Sequence, residues 1–92
     1  MEVLGSVLLR TFVAVAEAGS VTDGAARIYR FQSATSLQIK RLETILGRPV
    51  FTRHGRRVVL SSSGQTVLPA AKDVTARLDA VVRDISQDAI RG

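Results

Sequence analysis

At 92 residues the chain is long enough for one small domain with room for one site. It has no cysteine and a single histidine, His54, which excludes disulfides, cysteine-ligated zinc and a histidine-built metal site, so neither a metal nor a cofactor is expected. Thirteen Lys and Arg against eight Asp and Glu leave a net charge of +5, a balance that points toward an anionic partner.

No hydrophobic run nears the ~18 residues needed to span a bilayer, and the start Met1-Glu2-Val3-Leu4 lacks the basic opening of a secretory signal. The expectation is a soluble, cytoplasmic protein that does not engage a membrane. A chain this short buries only about 60 to 65% of its unfolded surface, so self-association is expected to complete the fold.

In chain order, Leu9, Phe12, Val13 and Ala16 recur at i, i+3, i+4 and i+7, which predicts a first helix ending near Gly19. Ser20-Val21-Thr22 supplies capping hydroxyls, and Val21, Ala25 and Ile28 mark a short second helix. Tyr29-Arg30-Phe31 reads as a tight turn. A third helix, 32–46, follows. At ~100° per residue its Thr35, Ile39, Leu42 and Leu46 form a core stripe, while Ser33, Ser36, Leu37, Lys40 and Thr44 lie opposite.

After Gly47, Val50-Phe51-Thr52-Arg53 and Arg57-Val58-Val59-Leu60 flank the basic tip His54-Gly55-Arg56, a short hairpin. From Ser61 or Ser62 a long helix is expected to about residue 89, some ~40 Å, kinked at Pro69. Along it Val67, Ala71, Val74, Leu78, Val81 and Ile85 are spaced 4, 3, 4, 3, 4. That heptad seam needs a second helix to cover it, and its length suggests one from a second copy rather than its own globule. The predicted fold is mainly α: three helices and a two-stranded wing over 1–60, then a linker and dimerisation helix over 61–92.

The charge is unevenly placed. Residues 1–60 hold nine basic against four acidic groups, or +5, and residues 61–92 hold four against four, or zero. From 27 to 57, Arg27, Arg30, Lys40, Arg41, Arg48, Arg53, Arg56 and Arg57 face only Glu43, eight against one, or +7. Arginine's planar fork suits phosphates and guanines, and eleven of the thirteen cations are arginine.

A helix-turn-helix with a basic wing reads as a DNA-binding unit, its third helix in the major groove and the wing, residues 53–57, in the minor groove or on backbone. Gln32 can pair with adenine and Leu37 can meet a thymine methyl, with small Ser33 and Ser36 permitting close approach. Ser20 or Thr22, with Arg30 and Lys40, are the expected phosphate contacts; Arg53 and Arg56 are candidates for the narrow minor groove.

The run Leu9 to Thr22, the stretch Ala25-Ala26-Arg27-Ile28 through Gln32-Ser33-Ala34-Thr35-Ser36-Leu37-Gln38-Ile39-Lys40-Arg41-Leu42-Glu43, then Leu46-Gly47-Arg48-Pro49-Val50-Phe51-Thr52-Arg53 and Leu60-Ser61-Ser62-Ser63-Gly64 resemble the N-terminal part of LysR-type transcriptional regulators. The resemblance implies a winged helix-turn-helix whose linker helix pairs antiparallel in a homodimer, each copy reading half of an interrupted palindrome in double-stranded DNA. It places base contacts on Gln32, Ser33, Ser36 and Leu37 and a wing contact on Arg53. Members also carry a C-terminal domain for a small-molecule inducer, and the chain ends before one could begin, so either an excised DNA-binding portion or a truncated member is implied, and the excised portion is expected.

The chain departs from the family's habit in four places. Phe31 stands for a capping serine, Thr35 for an aliphatic residue, Gly24 for alanine and Leu37 for a basic residue. Gly24 is expected to cost roughly 1 kcal/mol relative to alanine inside a helix.

Blander readings stand beside these. Gln32 can merely cap its helix, Ser33 and Ser36 can be ordinary surface serines, Tyr29 is expected to pack across its turn, and Arg77 and Arg83 to be solvated or salt-bridged. Phe12 and Phe51 are expected in the core, and His54 in a turn or beside a phosphate. The alternative function is a winged-helix protein–protein interaction module with an incidental basic face. An enzyme is not expected, for lack of a phosphate-cradling loop, metal set or catalytic triad.

Overall fold

A computed structural model of the protein describes residues 3–91. Its elements are α1 (Ser6–Ala18), α2 (Val21–Arg27), α3 (Gln32–Leu46), β1 (Phe51–His54), β2 (Arg57–Leu60) and α4 (Ser62–Arg91). The order is the expected one, and the molecule extends 51 × 27 × 22 Å.

α1 is the central helix, packed by α2, α3 and α4. Its buried stripe is Leu8, Thr11, Phe12 and Val15, one residue out of step with the Leu9, Phe12, Val13, Ala16 face that apolar spacing picks out. The cause is Thr11, polar in type yet fully buried, which hides the true period from a hydrophobicity count. Leu9 and Ala14 are also buried and Val13 and Ala16 half-buried, as befits a helix covered on several sides. Gly19 ends α1 in the left-handed region, φ 77°, with its N–H on the Val15 carbonyl.

Ser20 caps α2, its Oγ accepting from the Asp23 N–H at 3.0 Å. Inside α2, Gly24 is required rather than tolerated. A Cβ there would lie 2.7 Å from both Cα and Cγ2 of Val15, so α1 and α2 touch backbone to backbone at this point. The expected helix-propensity penalty of glycine is outweighed, because alanine would force the helices apart. Gly24→Ala should therefore lower the urea midpoint, with a loss of about 1–3 kcal/mol, where propensity alone predicts a gain.

The α2–α3 connection turns at Tyr29, whose φ is 55°. Tyr29 is 96% exposed, so it does not pack across the turn; the short connection is held by backbone bonds from Ile28, Tyr29 and Arg30 N–H to Ala25 and Ala26 carbonyls. α3 buries Thr35, Ile39 and Leu42 and ends at Gly47, φ 73°. Leu46 is half-buried.

The wing is an antiparallel pair with Phe51 opposite Leu60 and His54 opposite Arg57, joined by Gly55-Arg56. Glycine at the first turn position, φ 64°, is what a II′ hairpin turn favours. Val50, expected in the strand, instead precedes it fully buried, with its N–H on Glu43 Oε2 at 2.8 Å and its carbonyl taking the Ser61 N–H at 3.0 Å. The wing rests on the helices through Val58, which is buried and donates its N–H to the Gly19 carbonyl, and through Phe51, whose ring lies 5.3 Å from that of Phe12.

Ser61 caps α4, accepting from the Gly64 N–H at 3.1 Å while donating to the Pro49 carbonyl at 2.6 Å. α4 runs unbroken through Pro69 for 30 residues, about 45 Å, so its far end stands clear of the globule. Its first turns join the core: Ala71 is buried and Val67 and Leu68 pack against the cluster. Ion pairs Arg10–Asp79 at 2.9 Å and Lys72–Glu17 at 3.4 Å flank that contact with α1. The seam is thus divided. Val67 and Ala71 are taken up within the chain, whereas Val74, Leu78, Val81 and Ile85, with Val82, are exposed.

Candidate nucleic-acid interface

The N-terminal end of α2, the start of α3 and the wing tip meet around a cleft of about 500 Å³ lined by Val21, Thr22, Gln32, Arg53, Gly55 and Arg56. Four of the residues singled out in the sequence therefore share one site: Thr22, Gln32, Arg53 and Arg56. Thr22 Oγ1 donates to Gln32 Oε1 at 3.1 Å, which aims the glutamine amide and leaves its NH₂ free to donate outward.

Ser20 separates from Thr22. It is buried with its Oγ engaged in the cap, which leaves Thr22 as the exposed hydroxyl at this end of α2. Along α3, Ser33 and Lys40 are exposed, Ser36 is half-buried and Leu37 is 49% exposed, so the outward face predicted by angle is the accessible one. Arg30 is exposed on the turn that leads into α3.

Among the described residues the ion pairs are Arg10–Asp79, Lys72–Glu17 and Arg77–Asp73. None draws on the cations of residues 27–57. Glu43, the lone acid of that segment, points its carboxylate at the Val50 N–H and fixes the start of the wing. Its role escaped the sequence reading, although a single acid inside a run of eight cations was the available signal. Arg57 is likewise structural in placement, its guanidinium lying over Gly19, where a Cβ would come within 2.9 Å of it. What remains is a concave, unneutralised cationic surface around a helix N-terminus, suited to an extended polyanion.

The sequence profile of bacterial regulatory helix-turn-helix proteins of the lysR family matches residues 7–65. The chain belongs to the lysR family. It is 41% identical over 85 residues to the HTH-type transcriptional regulator DgdR of Burkholderia cepacia, a match covering 92% of this chain and 29% of DgdR. The chain thus spans under a third of the length of that lysR-family relative.

Two solved lysR-family structures show the same winged helix-turn-helix arrangement. The DNA-binding domain of CbnR, crystallised with DNA, superposes with a TM-score of 0.80 at 30% identity, covering 94% of this chain and 98% of that one. The corresponding domain of BenM, crystallised on its benA site 1 DNA, gives 0.83 at 30% identity, covering 91% and 98%. Among the described residues of this lysR-family chain, no helix is long and apolar enough to cross a membrane.

Proposed function

We propose that the chain is the DNA-reading portion of a LysR-type transcriptional regulator, acting in the cytoplasm as a homodimer on double-stranded DNA with an interrupted palindrome. The observation that carries this is the cleft that unites Thr22, Gln32, Arg53 and Arg56 beside the start of α3, with its arginines free of ion pairs. α3 enters the major groove by its N-terminal end, where Gln32, Ser33, Ser36 and Leu37 address base edges. Thr22, Arg30 and Lys40 hold phosphates and fix the register. Arg53 and Arg56 follow the backbone into the adjacent minor groove, whose potential is most negative over A·T-rich sequence.

Val74, Leu78, Val81 and Ile85 of α4, within about 60° of one another at 100° per residue, form the surface that pairs with the mate's α4. Val67 and Ala71 support this seam from the core side. A small-molecule inducer would act only through a C-terminal domain beyond this chain. The unpaired cations favour DNA over a protein ligand for the basic face, since an incidental charged surface has no need to gather its arginines at the mouth of one cleft.

Selection from a randomised duplex pool tests this, repeated with Gln32→Ala and Arg53→Ala. Gln32→Ala should relax base choice at one position per half-site at a cost of about 1–3 kcal/mol. Arg53→Ala should weaken all duplexes alike and reduce the salt slope by about 0.9 per phosphate lost. Indifference of base choice to Gln32→Ala contradicts the assigned role.

A further inference from the structure

We infer that Phe31 is a base-reading side chain, its ring set against the 5-methyl group of a thymine next to the base pair addressed by Gln32. The inference rests on the major-groove docking of α3 and adds to it a residue with no other task in the molecule.

Phe31 occupies the N-cap of α3, where a serine, threonine, aspartate or asparagine would accept a backbone hydrogen bond, and its side chain makes none. Nor does the ring help the core. It is 84% exposed, while Phe12 and Phe51 lie fully and partly buried against each other. A large apolar group that forgoes both capping and packing has an exposed surface available to a partner.

The position is well prepared for contact. The Phe31 carbonyl accepts from both the N–H and the Oγ1 of Thr35, each at 3.0 Å, and Thr35 is fully buried. The Cα of Phe31 is therefore held by the core, and only two side-chain torsions remain to be ordered on binding. The hydroxyl of Thr35, unusual in a core stripe, thereby serves to fix Phe31.

The surroundings decide the partner. Phe31 directly precedes Gln32, which lines the cationic cleft with Arg53 and Arg56, so what approaches the ring is the polyanion that the cleft attracts. Within the major groove of duplex DNA, the apolar feature on a base edge is the thymine methyl, and phenylalanine is among the side chains that meet it. Stacking on a base face would need an unstacked strand, and contact with sugar or phosphate would carry no base preference.

The test uses a duplex recovered by selection with the unmodified chain, in which each thymine in turn is replaced by deoxyuridine, deleting one methyl group. At one thymine per half-site the chain should lose about four-fold in affinity, the equivalent of one buried methyl. Phe31→Ser, which supplies the missing cap and should melt at or above the temperature of the unmodified chain, should be indifferent to that same substitution. It should keep its sensitivity at any thymine read by Leu37. Phe31→Leu, still apolar, should retain part of the response.

A Phe31→Ser variant that still binds the thymine duplex about four-fold more tightly than the uracil duplex would overturn the inference, as would unchanged binding by that variant. Those outcomes leave the sequence preference of the unmodified chain intact, so they are distinguishable from failure of the DNA-reading role, which would show as no preferred duplex at all.

Discussion

Gly64→Ala is expected to destabilise the protein by about 3 kcal/mol or more. A Cβ at residue 64 would overlap the Val50 carbonyl oxygen and lie 3.1 Å from its carbon and 3.0 Å from Leu60 Cδ2. That carbonyl cannot yield, because it accepts the Ser61 N–H at 3.0 Å while the Val50 N–H is held by Glu43. The first turn of α4 is thus pressed directly onto the chain entering the wing, and Ser61 ties both together. Helix propensity alone predicts the opposite sign, a gain of up to about 1 kcal/mol for alanine. Urea unfolding of the two proteins separates the cases, and an unchanged midpoint would show that α4 does not sit this close to Val50.

Paired substitution of Val81→Glu and Ile85→Glu should leave each chain folded while lowering affinity for a two-half-site duplex by about 10²–10⁴-fold. Both side chains are mostly exposed, at 61% and 65%, so the fold of one chain does not depend on them. Facing a second α4 they would each bring a charge into a seam of Val74, Leu78 and their mates, and like charges would meet across an antiparallel pair. Without the seam each head must bind alone. Sedimentation equilibrium should then report a monomer, and gel-shift titration the loss of avidity.

Much of the fold was legible because its punctuation is local. Gly19 and Gly47 end α1 and α3 with φ of 77° and 73°, and the Thr35, Ile39, Leu42 stripe carries the 3.6-residue period between Phe31 and Gly47. The site was legible as a set of charges and small polar groups on one face of α3. Its closure with Thr22, Arg53 and Arg56 into one cleft depends on where the wing lands, which no local pattern records.

The misreadings have a common origin in contacts between distant segments. Thr11 belongs to the core although its type suggests surface, and Tyr29, expected to pack across its turn, is exposed. Gly24 reads as a weak helix residue until Val15 is placed against it. The heptad spacing from Val67 to Ile85 is the same whether the covering helix is the chain's own α1 or a mate's α4. Only the tertiary placement assigns Ala71 to the first and leaves Val81 and Ile85 open for the second.

The most direct test compares, at one salt concentration, the affinity of the unmodified chain for a duplex with two twofold-related half-sites and for the same duplex with one half scrambled. Two coupled reading heads predict at least about a hundred-fold preference for the intact duplex, with two chains bound per DNA. Equal affinity for both duplexes, with one chain bound to each and the same fall of log K with salt, would contradict it.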